Sequence, residues 1–438
     1  KNMVQLPIAL LWMSFNKNTK KIMDNKGKPF LHQGELKIQW AGSQMKVLDT
    51  IRNRFEKEKP FKGITLGACL HVTAETANLL IALKAGGANL ALCASNPLST
   101  QDEVAQSLNQ DFDIPTFAKK GEDREIYYKH LNQVLDFHPQ ITMDDGADLI
   151  TLLHTERKDQ LKEIIGSSEE TTTGVIRLKA MKKKGDLKIP VMAVNDSQTK
   201  HLFDNRYGTG QSTIDGIIRA TNVLLAGKIF VVCGYGWCGR GISEKARGMG
   251  AHVTVTEVDP VRALQAVMDG FEVTSLSKAC QKADIIVTAT GNKGVLGTDL
   301  FKLLKDKVII CNAGHFNVEF DYEGLVKMAK QTTQIREFLQ ELIMADGKKV
   351  FVLGEGRLIN LVAAEGHPPD VMDLSFANQA LAAEFFVINK GKLKNDIYTI
   401  PDDQDIEIAL LKLESMGISI DKLTKEQKHY LSSWNEGT

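Results

Sequence analysis

The sequence has no surplus of charge of either sign. Lysine plus arginine matches aspartate plus glutamate over the 438 residues, for a formal net charge of zero. A chain so balanced offers no extended field for nucleic acid or an anionic membrane, and neither is expected as a partner. Basic runs such as residues 182–184 are short and read as solvated. There is no C-x-x-C pair among the six cysteines at 69, 93, 233, 238, 280 and 311. Scattered thiols, several of them in apolar runs, fit a reduced, cytoplasmic protein, and no metal centre is expected. The apolar stretch at 4–13 is too short to span a bilayer, and no small-residue cleavage site follows it. Residues 1–30 are read as an N-terminal extension without chemistry. No internal repeat or low-complexity segment is present.

A chain of this length exceeds one ordinary core, so two domains are expected. The most informative stretch is 228–259. An apolar run of strand length (229–233) leads into Gly234, Gly236 and Gly239 in G-x-G-x-x-G spacing. A helical segment (242–249) and a second strand (252–256) follow, and Glu257 closes the unit. Gly234 permits the tight turn, Gly236 lets backbone approach a pyrophosphate, and Gly239 lets the helix pack on the strand. Glu257 stands where an acid accepts from ribose hydroxyls and would repel a 2′-phosphate, which points to NAD. Further strands at 284–289, 308–312 and 350–353 complete a Rossmann domain.

Upstream, a helix-periodic segment runs from residue 35 to Lys59-Pro60. Strands are expected at 64–70, 89–94, 114–118 and 141–143, with helices at 73–85, 102–108 and 124–135 between them. This is an α/β doubly wound pattern, in which ligands bind at the carboxyl ends of strands. His71, Ser95-Asn96 and Asp144-Asp145 stand at such ends. A connecting region (168–174), a helix to 184 and a strand (190–194) precede the polar run 195–208. That run is too polar for core and is read as a polar site loop. A long apolar helix (372–388) should pack back on the first domain, and helices at 404–416 and 425–434 form the tail. The expected fold is two doubly wound parallel-sheet domains with a small helical tail: a substrate domain at 31–205 with a return segment at 368–400, an NAD domain at 206–367, and the tail at 401–438.

Over roughly residues 35–434 the sequence resembles the S-adenosylhomocysteine hydrolase family, in its shorter branch without the long insertion. The resemblance rests on Ser99-Thr-Gln-Asp102, Asp144-Asp-Gly146, Glu169-Glu-Thr-Thr-Thr-Gly174, Asn195-Asp-Ser197, Phe203-Asp-Asn205, Gly234-Tyr-Gly236, Gly314-His-Phe316, Glu355-Gly-Arg357 and Gly366-His-Pro368. It implies tightly held NAD, recycled in each turnover, and the reversible hydrolysis of S-adenosylhomocysteine to adenosine and homocysteine by a homotetramer. It places Lys200 and Asp204 at the sugar hydroxyls; spaced i,i+4, they otherwise read as a surface ion pair. It sets His71 and Asp145 at C5′ as proton carriers, and His315 at the substrate. Thr73 and Glu75 fall at the adenine edge, although both residue types also favour a helix start. Glu170 and Asn360 fall at the sugar and homocysteine side. Thr171, Thr172, Thr173 and Asn205 fall beside the nicotinamide, and Asn292 and Asn312 at the cofactor. His367 either gates the cleft or serves as a hinge.

Two departures stand out. Thr209 replaces a cysteine found in many relatives, which makes thiol chemistry there unnecessary. The C-terminus lacks the usual Lys- and Tyr-containing tail that touches a neighbour's NAD, with Lys425, Lys428 and Tyr430 as substitutes. The alternative activities are a hydrolase for S-inosylhomocysteine, a non-catalytic NAD-binding regulatory paralogue and a simple NAD dehydrogenase.

Overall fold

The computed structural model describes residues 33–436; the extension read at 1–30 lies outside them. Strands β1 (Thr65–Leu70), β2 (Asn89–Ala94), β3 (Thr116–Phe117), β4 (Ile141–Asp144), β5 (Gly166–Glu169) and β6 (Val191–Ala193) alternate with helices. The runs of β1, β2 and β6 are nearly continuously apolar because both faces of the sheet are covered. Along β1, Leu66, Ala68 and Leu70 enter one core while Cys69 enters the other.

The second sheet is built from β7 (Ile229–Cys233), β8 (His252–Thr256), β9 (Glu272–Val273), β10 (Ile285–Thr288), β11 (Val308–Asn312), β12 (Ala329–Arg336), β13 (Leu339–Met344) and β14 (Lys349–Leu353). Phe230 and Val232 fill one side of it, Val231 and Cys233 the other. A short β15 (Ile397–Tyr398) returns to the first sheet beside β6.

The strand orders explain where ligands go. The first sheet runs β15-β6-β5-β4-β1-β2-β3 and is parallel throughout. The second runs β12-β13-β14-β11-β10-β7-β8-β9, parallel from β14 to β9, with β13 antiparallel to both β12 and β14 at one edge. Both are doubly wound, with switch points between β1 and β4 and between β7 and β10. A crevice opens at the carboxyl ends of the strands at such points.

Helix Pro369–Ile388 carries the chain back to the first unit and supplies Leu374, Phe376, Ala377, Ala380, Leu381 and Phe386 to its core. Among the described residues it is the one helix long and apolar enough to cross a membrane; two-thirds of its apolar window is buried, as in a core helix.

The structure corrects the sequence reading at several places. The segment expected as one helix from residue 35 is two, Gln33–Gln44 and Lys46–Glu58. The break at Met45 is stabilised from afar: the Asp373 carboxylate accepts from the backbone N–H groups of Val47 (3.1 Å) and Leu48 (2.8 Å). The connecting region hides β5, whose Gly-Ser-Ser-Glu sequence carries no apolar signal but is wholly buried. The polar run 195–208 is not a loop. It forms a 3-10 turn (Val194–Asp196), one turn of helix (Gln198–Lys200) and a π-helix (His201–Gly208) that runs into helix Thr209–Thr221. Within it Asn195, Lys200, Asp204 and Asn205 are buried and pair with one another.

Candidate active site

The two carboxyl-end crevices face one cavity of about 810 Å³. Its size suits a nucleotide cofactor together with a small substrate. On the Rossmann side, helix Trp237–Gly248 begins at Gly236 with no side chain capping it. Its first N–H groups are therefore free toward the cavity, as a pyrophosphate requires. A Cβ on Gly239 would lie 2.0 Å from the Gly234 carbonyl oxygen, so helix and strand approach to a distance that only glycine allows. Gly239→Ala protein is accordingly expected to be purified without NAD, and added NAD should no longer raise its melting temperature.

Glu257 ends β8 at the cavity wall and accepts from the N–H groups of Tyr235 (2.7 Å), Val258 (2.7 Å) and Asp259 (3.0 Å). Asn292 also lines the cavity. Asn312 does not: its side chain is spent on Thr288, Gly314 and Phe316, so it shapes the turn that presents His315.

On the other side, His71 follows β1 and Asp145 follows β4. His71 Nε2 lies 3.1 Å from Asp145 Oδ2, and its Nδ1 is held by Ser99 (2.7 Å) and Ser95 (3.1 Å). Burial pushes the His71 imidazole down to about 4, against the upward pull of Asp145. It is neutral at pH 7 and free to take a proton. His315 comes from the opposite domain, its Nδ1 3.8 Å from Asp145 Oδ1. The turn after Asp145 admits it because Gly146 has φ +116°, and a Cβ there would meet His315 Nε2 at 2.7 Å. The ligand atoms of His71, Asp145 and His315 lie within 4.8 Å of one another, a spacing a metal ion could use; the sequence reading assigned none.

Lys200 and Asp204 are buried, not a solvated surface pair. The Lys200 ammonium is 2.8 Å from Asn205 Oδ1, 3.4 Å from Asp204 and 3.6 Å from Glu170. Burial alone would lower Lys200, but Asp204 and Glu170 outweigh it and hold the amine above its ordinary value. Burial would raise Asp204; Lys200 and His367, with a hydrogen bond from Ser375, keep it below the usual carboxylate range. For Glu170 burial wins over Lys200 and pushes the carboxyl up to about 8.

His367 Nδ1 sits 3.0 Å from Asp204, and its Nε2 lies 3.3 Å from Thr209. Thr209 is thus a hydroxyl neighbour of His367. Asn205 also donates to Asn195, which accepts from Thr172, so two of the four residues expected beside the nicotinamide, Thr172 and Asn205, form one network with Lys200. Thr173 lines the cavity beside them. Glu169 joins the two halves: one oxygen accepts from Gly146 N–H, Thr171 N–H and the Thr171 hydroxyl.

Thr73 caps helix Ala74–Ala85, accepting from Thr76 N–H at 3.4 Å, and also faces the cavity with Glu75. Burial raises the Glu75 carboxyl, opposed by a hydrogen bond from Thr73. Asn360 Nδ2 donates to Ser212 (3.1 Å).

The site also uses residues that sequence reasoning missed. Gln379 bridges Glu170 (2.6 Å) and Ser168 (2.5 Å), and Ser375 holds Asp204 (2.9 Å). Both belong to the helix read only as an apolar run. The signal was there: Asp373, Ser375, Asn378 and Gln379 interrupt that run over two turns.

Four residues that line the cavity each carry a buried side-chain atom with no hydrogen-bond partner: Asp145 Oδ1, Glu170 Oε1, His315 Nε2 and Asn360 Oδ1. Buried polar atoms are rarely left unpaired, so these four cavity-lining residues are candidates for contact with a polar ligand.

The sequence is similar to known proteins over both domains. Residues 29–163 match the model of S-adenosyl-L-homocysteine hydrolase, and residues 205–366 match that of its NAD-binding domain. The adenosylhomocysteinase of Gloeothece citriformis is 59% identical, over 92% of this chain and 94% of its own. That of Aquifex aeolicus is 55% identical over 95% and 99%. The S-inosyl-L-homocysteine hydrolase of Methanocaldococcus jannaschii is also 55% identical, over 93% and 97%. Family models spanning both domains and relatives this similar over nearly the full length lead to one assignment: the chain belongs to the S-adenosyl-L-homocysteine hydrolase family.

Proposed function

We infer that the protein hydrolyses S-adenosyl-L-homocysteine reversibly to adenosine and L-homocysteine. The observation that carries this reading is one cavity lined both by four residues that hold unpaired buried polar atoms and by an uncapped glycine turn suited to NAD. Bound there, NAD supplies reversible oxidation of the sugar 3′-carbon, which acidifies the C4′ proton, lets homocysteine leave C5′ and water add, and is undone at the end. Lys200 and Asp204 bind the sugar hydroxyls, and the ammonium lowers the cost of moving the 3′-hydroxyl proton. His71 and Asp145 carry protons at C5′, with His315 and Asn360 orienting the substrate around them. Thr73 and Glu75 read the base.

Adenine presents an amino donor at C6, which the Glu75 carboxylate accepts; hypoxanthine presents an oxo group, which a carboxylate repels. A mismatch at a buried polar group costs about 1–3 kcal/mol. The adenosine substrate is therefore expected to exceed its inosine analogue in kcat/KM by roughly tenfold or more. Because Glu75 is raised, lowering the pH protonates it, lets it donate to the oxo group and narrows the gap. Glu75→Gln should narrow it at all pH values. Product analysis with each substrate separately tests both the reaction and the base. Equal use of the two at neutral pH would remove Glu75 from the base edge, and failure to release homocysteine from either would remove the proposed reaction.

The substrate, NAD and tail divisions follow the boundaries 31–205 with 368–400, 206–367 and 401–438. We further read the working form as a homotetramer in the cytoplasm. Reduced cysteines support the compartment: all six are free and five are buried. Unpartnered apolar surface supports assembly. Ile418, Ile420, Leu423, Tyr430 and Leu431 of the tail are exposed, as are Val261, Leu264 and Met268 on helix Pro260–Met268. Surface of this kind marks contact with another chain.

A further inference from the structure

We propose that Asp405, in the C-terminal tail, is the positioning residue for Lys200; the role rests on the reading of Lys200 as the group at the sugar hydroxyls. Asn205, Asp204 and Glu170 hold only the far end of the Lys200 side chain. Its backbone belongs to a three-residue helical turn, Gln198–Lys200, between a 3-10 turn and a π-helix. So short a turn has few hydrogen bonds of its own, and no side chain within it caps its start.

Asp405 supplies what the turn lacks. Its Oδ2 accepts from Gln198 N–H (2.7 Å). Its Oδ1 accepts from Thr199 N–H (2.9 Å), the Ser197 hydroxyl (2.8 Å) and the Thr199 hydroxyl. Hydrogen bonds to an ionised acceptor are about twice as strong as neutral ones. Asn378, on the return helix, donates to the Thr199 hydroxyl at 2.8 Å and closes the arrangement. Both backbone donors that precede Lys200 thus end on one buried carboxylate, carried by helix Asp402–Ser415 some 200 residues further along the chain. The tail helix is a part of the active-site scaffold. Misplacing a reacting group by about 1 Å costs on the order of 10²-fold in rate, so Asp405 acts on the sugar-oxidation step through Lys200 and not by touching substrate.

The test compares NAD-loaded wild-type, Asp405→Ala and Asp405→Asn proteins at a temperature where circular dichroism shows all of them folded. In Asp405→Ala, hydrogen exchange at the Gln198 and Thr199 amides, followed by mass spectrometry without substrate, should accelerate at least about tenfold. Enzyme-bound NADH formed on mixing with S-adenosylhomocysteine should appear roughly 10–100-fold more slowly, with substrate affinity within about threefold of wild type. The basic limb of that step should move to lower pH, because a mobile Lys200 loses the carboxylates that raise it. Asp405→Asn keeps an oxygen at the Oδ1 position, which takes three of the four contacts, and should lie between; it also serves if the alanine variant does not fold. A folded Asp405→Ala protein with wild-type NADH formation and an unmoved basic limb would overturn the proposal. Wild-type protein that forms no bound NADH would count against the proposed reaction instead.

Discussion

Lys200→Ala protein should form enzyme-bound NADH from S-adenosylhomocysteine roughly 10³-fold more slowly than wild type, the effect expected of losing a positioned proton-transfer group. The side chain is buried beside Asp204 and Glu170, with its amine held charged well past neutral pH. Two consequences separate this variant from a simple loss of binding. Removing the ammonium strands two buried carboxyls; breaking a buried pair this way costs about 3–5 kcal/mol, so the melting temperature should fall. The sign of the pH dependence follows. Asp204 is depressed by Lys200, so its contribution to stability is present above the ordinary carboxylate pKa and is lost as pH falls through its lower folded value. Without Lys200 that contribution shrinks, and the variant should be less stable than wild type most clearly at neutral pH, where Asp204 is ionised. Scanning calorimetry across pH, with stopped-flow absorbance of bound NADH, checks both. An unchanged rate of NADH formation would remove Lys200 from the sugar.

Much of this site was legible in the sequence because its residues sit at strand ends. The apolar runs of β1, β4, β7 and β8 are obvious, and His71, Asp145, Gly234 and Glu257 follow them at the positions where a doubly wound sheet presents ligands. What stayed hidden had physical causes. Strand β5 is Gly-Ser-Ser-Glu, satisfied by neighbours rather than by apolar packing, so periodicity has nothing to detect. The run 195–208 looked like a loop because burial is normally announced by apolar side chains; here Asn195, Lys200, Asp204 and Asn205 are buried by pairing with one another. The β12–β13 hairpin carries little strand signal, because β12 is mostly polar and exposed at the sheet's edge. Long-range anchors are the least legible class. Nothing local to Asp373 or Asp405 tells that each carboxylate holds the start of a helix hundreds of residues away.

Asp145→Asn protein should show the opposite partition: bound NADH forming within about tenfold of the wild-type rate, but homocysteine released roughly 10²–10⁴-fold more slowly, so that NADH accumulates. The two pairs stand in different places. Asp145 follows β4 and pairs with His71 at the end of β1, while Lys200 and Asp204 belong to the segment after β6. Substituting the amide keeps the shape of the side chain but removes its charge, so the proton traffic at C5′ fails while the sugar hydroxyls stay held. The pH dependence carries a second signature. Burial lowers His71 and Asp145 pulls it up, leaving it near 4. Without the charge of Asp145 the imidazole falls further, so the acid limb of homocysteine release should shift to lower pH in the variant. The same depressed value fixes a stability term: the unfolded histidine, near its ordinary value of about 6.5, binds a proton that the folded one refuses. Wild-type stability therefore declines as pH falls from about 6.5 toward 4. Rapid-quench measurement of homocysteine alongside NADH absorbance, for Asp145→Asn and Lys200→Ala in parallel, decides the matter. If both variants lose the NADH signal equally, the two groups do not divide the reaction, and Asp145 belongs with Lys200 at the sugar.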